Sequence, residues 1–191
     1  MRKYTMFKDY VIVDDVFDEP KTLISIAHRP NILYSNNYFS LNGALTRPDD
    51  ADKPKGFWKG YRSQSLHLIN KDIFTDVSRT IIRKAFNIPN FNFVLKCHLH
   101  IGTANCEVTD SDFHTDTTLF AGVVYLNENP ELNSGTIIKT NDSYTTIENK
   151  FNRLVFYKSS VPHRPENFFG NTLTNSRLTL NIFIDGVGFH Y

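Results

Sequence analysis

Cysteine is nearly absent: Cys97 and Cys106 are the only two thiols in 191 residues. Two thiols without a secretory leader point to reduced side chains rather than a disulfide framework. An excess of either charge is lacking as well. Twenty-one basic and 20 acidic residues leave a formal net charge of +1, so bulk electrostatics give no support to a nucleic-acid or anionic-membrane partner. No apolar run approaches the length of a transmembrane helix. The first ten residues include basic side chains but no apolar h-region, so no signal peptide is expected. Internal repeats and long low-complexity tracts are missing too. These absences leave a cytoplasmic protein as the default, and the length suits one domain with a substantial core.

What is abundant is aromatic and β-branched. Sixteen Phe and nine Tyr bring aromatics to 14%, and β-branched residues crowd the second half, which favours sheet. Tyr10–Val13 reads as a short strand. Asp18 is a candidate N-cap for a helix through about His28, with Pro20 in its first turn. Residues 31–62 are rich in Asn, Ser, Gly, Pro and Asp, and a loop of that length carries function or hides short strands. From Asp72 to Phe86 an apolar stripe recurs at helical spacing. Short strands are then expected over 91–101, 121–126, 136–139, 144–148, 153–157 and 177–184. Helices first and strands later predict a mainly β fold backed by helices, a sandwich or barrel. The expected division is helical support with a candidate substrate loop over 1–90 and a β core over 91–191.

The chemistry concentrates in the second half. His114 and Asp116 lie in Phe113-His-Thr-Asp116, and His163 follows 49 residues later in Val161-Pro-His-Arg164. On an extended segment residues i and i+2 point the same way, so His114 and Asp116 can reach one ion while a distant strand supplies His163. Two imidazoles and one carboxylate on one face of an octahedral metal leave the opposite positions open, the ligand set of non-haem Fe(II) oxygenases. An HxD tripeptide alone is a weak signal; the distal histidine and a downstream cation strengthen it. That cation is Arg177, in Arg177-Leu-Thr-Leu-Asn-Ile-Phe-Ile184. Strand alternation puts Arg177, Thr179 and Asn181 on one face and Leu178, Leu180, Ile182 and Ile184 on the other. A guanidinium fork with the Thr179 hydroxyl suits the far carboxylate of a keto-acid cosubstrate. His98 and His100, two apart on an expected strand, could both face inward, and His100 is a candidate to line the cosubstrate pocket. His28, His67 and His190 read as ordinary histidines.

These residues resemble the 2-oxoglutarate/Fe(II) dioxygenase superfamily, nearest to its prolyl 4-hydroxylase-like branch. Val123-Val-Tyr-Leu-Asn127 resembles the strand after the first His-Asp pair, and Ser134-Gly-Thr136 the glycine turn that follows. Asn152 to His163 resembles the strand leading to the distal histidine, and Val11 to Phe17 the N-terminal support. The residue content is similar to that of small phage or bacterial members. The resemblance is specific over 113–184 and looser over 11–101. It implies a double-stranded β-helix, or jelly-roll, with His114, Asp116 and His163 as Fe(II) ligands, 2-oxoglutarate held by Arg177 and Thr179, and O2 as oxidant in hydroxylation with release of succinate and CO2. Two departures bear on specificity. Prolyl hydroxylases of this branch commonly anchor the cosubstrate with Lys, and their pocket tyrosine is replaced by Cys97-His-Leu-His-Ile101.

The substrate is expected to be a small molecule or a peptide or protein residue. Trp58, Tyr61 and Arg62, in Gly56-Phe-Trp-Lys-Gly-Tyr-Arg62, are candidates for one wall of its site. Arg164 is a further candidate, and 127–134 a candidate rim. Lys53, Lys55, Lys59 and Arg62 leave room for a local nucleic-acid contact. Two other readings compete: a cupin-like metal enzyme that does not use 2-oxoglutarate, and a non-catalytic jelly-roll module. Oligomeric state is open.

Overall fold

In the computed structural model, which describes residues 9–32, 34–35, 59–86, 92–140 and 143–188, the strict alternation of the last strand fixes the layering. This strand, β10 (Arg177–Gly188), buries Leu178, Leu180, Ile182 and Ile184 on one face and turns Arg177, Thr179, Asn181 and Phe183 to the other. It pairs antiparallel with β4 (Asn92–Gly102) on one side and β5 (Phe120–Tyr125) on the other. With β1 (Tyr10–Val13), β2 (Tyr34–Ser35), β3 (Tyr61–Ser65) and β8 (Leu154–Lys158) these form a seven-stranded sheet ordered β1-β8-β5-β10-β4-β3-β2. A smaller sheet, β7-β6-β9, is built from β6 (Thr136–Thr140), β7 (Ser143–Ile147) and β9 (His163–Pro165).

Helices cover the apolar face of the large sheet. Three α-helices are present among the described residues: α1 (Lys21–Ala27), α2 (Leu66–Ile69) and α3 (Lys71–Phe86). Leu23 and Ile26 of α1 and Val77, Ile81, Ala85 and Phe86 of α3 join Leu99, Ile101, Leu180 and Ile182 in the main core. A second core, of Tyr125, Ile138, Ile147, Val155, Tyr157 and Val161, lies between the two sheets. Two facing antiparallel sheets with helices on the outside make the expected jelly-roll. None of the described helices is long and apolar enough to cross a membrane.

Local differences from the sequence reading have physical causes. The first helix starts at Lys21, not after Asp18: Pro20, already at φ −64°, ψ −25°, occupies the N-cap with no side-chain cap bond, because its ring presets the helical φ. The third helix is held instead by Asn70, whose side-chain oxygen accepts from the Ile73 N–H at 3.1 Å. Strand β3 lies at the end of the stretch read as loop, where its alternation of Tyr, Arg, Ser and Gln has no apolar signature. Asn152 takes φ +60° and returns two hydrogen bonds to the Phe17 backbone, at 3.0 and 2.8 Å, tying the N-terminal segment to β8. Trp58, Lys53, Lys55 and His190 lie outside the described residues.

Candidate metal and cosubstrate site

His114 and His163 meet across a single antiparallel bridge. The His114 N–H donates to the His163 carbonyl at 3.1 Å, and the His163 N–H to the His114 carbonyl at 3.0 Å. This reciprocal pairing sets two distant histidines directly opposite each other, with ring centroids 4.5 Å apart. The Asp116 N–H donates to the Ser159 carbonyl at 3.0 Å, so the carboxylate is fixed against the same segment. One ligand atom from each of His114, Asp116 and His163 falls within 4.8 Å of the others.

The protonation pattern suits a cation. Nδ1 of His114 lies 2.9 Å from the Asp112 carbonyl, and Nδ1 of His163 lies 2.9 Å from the Val161 carbonyl. A carbonyl cannot donate, so both Nδ1 atoms carry the proton and both Nε2 lone pairs are left for a ligand. His163 Nε2 then stands 3.3 Å from Asp116 Oδ2. Two lone-pair acceptors at that separation need a cation or a proton between them. Ligands about 2.1 Å from an octahedral ion sit roughly 3 Å apart along an edge, so the donor set fits a divalent metal. Burial raises the Asp116 pKa, but the two imidazoles when protonated, His163 foremost, and the Arg62 charge outweigh it, and the carboxyl titrates below its usual value. The Tyr157 ring, 4.2 Å from the His163 ring, forms the floor.

Along β10 from this cluster lies Arg177, 3% exposed. Its Nε donates to the Ser134 carbonyl at 2.7 Å and one terminal nitrogen to the Gly135 carbonyl at 3.2 Å. Tyr125 and Phe168 flank the guanidinium, with centroids 5.4 and 5.6 Å away. Among the described residues no carboxylate pairs with it at salt-bridge distance. Burial pulls its pKa below the usual arginine value. A buried guanidinium with no carboxylate at salt-bridge distance among the described residues, balanced only by Tyr125, Tyr157 and the charge of Glu166 beyond contact, suits an incoming carboxylate.

Thr179, fully buried, shares its cross-strand row with Tyr125 and His100, and its hydroxyl donates to Asn181 Oδ1 at 2.8 Å. His100 donates from Nε2 to the Lys59 carbonyl at 2.7 Å; burial, with the Arg62 charge next, lowers its pKa to about 3, so it is neutral. His98 donates to the Ser63 carbonyl at 3.0 Å. Arg62 sits beside His100 in the same row, and Tyr61 is half-buried beside it. Arg164 is placed apart: it alternates with His163 along β9, pairs with Asp110 at 2.9 Å and lies over the Phe113 ring.

Sequence reasoning passed over Tyr125, Phe168, Tyr157 and Gly102. Tyr125 and Tyr157 share strand parity with Val123 and Val155 and were findable from alternation. Phe168 was not, because it reaches Arg177 from a loop. A Cβ on Gly102 would overlap the Phe168 ring, so the glycine admits the ring that covers the guanidinium.

The sequence matches no family model and no curated protein. Solved structures match along nearly its whole length. A prolyl-4-hydroxylase from Pseudomonas putida superposes with TM-score 0.55 at 14% identity over 94% of both chains. The fold is that of the prolyl-4-hydroxylase-like 2OG-Fe(II) oxygenases. A Trichoplax adhaerens prolyl hydroxylase, solved in complex with a hypoxia inducible factor peptide fragment, matches at TM-score 0.54 and 11% identity, over 93% of this chain and 83% of that one. The non-heme alpha ketoglutarate dependent epimerase SnoN of nogalamycin biosynthesis matches at TM-score 0.55 and 13% identity, covering 93% and 77%. A fold shared by a peptide hydroxylase and an epimerase leaves the substrate to be argued from the residues.

Proposed function

We propose that the chain is a single-domain Fe(II)- and 2-oxoglutarate-dependent oxygenase that hydroxylates a small molecule or a peptide residue. In this reading His114, Asp116 and His163 hold the metal, and Arg177 holds the far carboxylate of 2-oxoglutarate. The observation that carries it is that the three-donor cluster and a buried guanidinium with no carboxylate at salt-bridge distance among the described residues adjoin the same core, Tyr157 packing on His163 and Tyr125 on Arg177. When bound, the metal with 2-oxoglutarate and O2 supplies the oxidising power, and the balance is substrate C–H to C–OH with succinate and CO2 as co-products.

The chain's own part is positional. The two carbonyls that accept from Nδ1 fix both imidazole tautomers. The Gly135 turn holds Arg177 at the far end: a Cβ there would strike the Ile147 carbonyl, while the Gly135 carbonyl accepts from Arg177. Neutral His100 lines that pocket without opposing a second charge, and the apolar rings of Tyr125 and Phe168 exclude water from the ion pair. Thr179 contributes its hydroxyl once Asn181 releases it. Trp58, Tyr61 and Arg164 remain candidate substrate contacts, with Arg164 on the outer face of the small sheet. Two free thiols suit the cytoplasm.

The test is Fe(II)-dependent conversion of 2-oxoglutarate to succinate, with bound metal measured in parallel. His163→Ala is expected to lose stoichiometric metal and succinate formation together. Full metal content and turnover in that variant would remove His163 from the site. A cupin-like enzyme without 2-oxoglutarate would bind metal and leave 2-oxoglutarate untouched.

A further inference from the structure

The inner face of the large sheet carries a second guanidinium, and it points the other way. Arg62 on β3 lies in one cross-strand row with His100, Thr179 and Tyr125. Its guanidinium carbon sits 5.3 Å from the centroid of the Phe183 ring. Phe183 is four residues beyond Thr179 on β10, about 13 Å along the strand, whereas Arg177 lies two residues before it. The two cations therefore occupy opposite ends of one inner face. Phe183 also shares a row with Ala121 and Tyr157, and Tyr157 is the ring beneath His163. The Arg62 end is thus the metal end, and the charges of Arg62 and Asp116 act on each other.

We propose that Arg62, backed by the Phe183 ring, anchors a carboxylate of the primary substrate, so that the substrate class is a small organic acid or an amino acid with a free carboxylate. The inference rests on the oxygenase reading: a cosubstrate stretched from Arg177 to the metal leaves the Arg62 side for the molecule to be oxidised. A planar fork supported on an aromatic face matches a carboxylate bidentately and leaves no preference for a neutral amide at the same place. Asn181 and neutral His98, in the row between, offer polar contacts without competing charge.

The test uses N-acetyl-L-amino acids and their primary amides, which differ in terminal charge and little in size. Binding is measured by calorimetry on the anaerobic Fe(II)- and 2-oxoglutarate-loaded protein and again on the apoprotein. Acids are expected to bind at least about tenfold tighter than amides. Arg62→Gln should erase that preference and leave 2-oxoglutarate affinity unchanged. Arg62→Lys keeps the charge and should keep a weaker preference. Equal binding of the two sets, including no binding by either, overturns the proposal, as does a preference that survives Arg62→Gln. A variant that changes metal affinity alone would assign Arg62 to balancing Asp116 and likewise overturn it. Failure of the oxygenase reading is separate: the 2-oxoglutarate chelate would not form, while any acid preference of the apoprotein would still be measurable.

Discussion

Replacing Arg177 by Met keeps most of the side-chain volume between Tyr125 and Phe168 and deletes the buried charge. The structure separates two effects. For folding, the Ser134 and Gly135 carbonyls each lose a charge-assisted donor, costing about 1–3 kcal/mol apiece, while relief of a buried cation works in the opposite sense. Stability should therefore move by only a few kcal/mol. For binding, truncating one partner of a buried ion pair costs roughly 2–5 kcal/mol, or about 30-fold and more in 2-oxoglutarate affinity. At a concentration one hundred times the wild-type Kd, ligand adds about 2.7 kcal/mol to stability. That corresponds to a Tm rise of about 5–11 °C in a chain of this size. At the same concentration the variant should gain under about 1 kcal/mol, a rise of no more than ~2–4 °C. The assay is thermal unfolding with Mn(II) present, with and without 2-oxoglutarate. Equal ligand-induced shifts in the two proteins would refute the assignment of Arg177 as the anchor.

Gly102→Ala drives a methyl into the Phe168 ring, so a loss of about 1–3 kcal/mol is expected in urea unfolding, together with a smaller 2-oxoglutarate shift but normal metal content; unchanged stability would mean that Phe168 moves freely. His100 is held neutral by burial, with a folded pKa of about 3 against the usual 6.5. For a base whose pKa is depressed on folding, the unfolded chain binds more protons between those values. Stability should therefore be complete above pH 6.5 and decline as pH falls toward 3, by about 1.4 kcal/mol per unit at most. His100→Phe should flatten that slope in stability-versus-pH curves, and a slope identical to wild type would contradict it.

The parts of this molecule legible in its sequence are those whose signal is local and periodic. Strict alternation in Arg177–Ile184 separates the two faces of the last strand, and the fold decides which of them meets the helices and which the small sheet. The spacing of His114, Asp116 and His163 pointed to one ion, and the bridge between the two histidines supplies the geometry. The illegible parts depend on neighbours distant in sequence. Strand β3 shows no apolar alternation because its inward residues, Arg62 among them, are polar and its pairing partner is thirty-eight residues away, at His100. Gly102 lies just past the strand expected over 91–101, and its purpose emerges when Phe168 is folded over it. Arg164, beside the distal histidine in sequence, points to the opposite face of its strand, as a period of two requires.

The most direct test of the central claim is an anaerobic titration of the apoprotein with Fe(II) and then 2-oxoglutarate, following the visible charge-transfer band of the chelate. The account predicts a band at one equivalent of each, absent in His114→Ala and shifted to much higher 2-oxoglutarate in Arg177→Met. Metal uptake with no band at any 2-oxoglutarate concentration would contradict it.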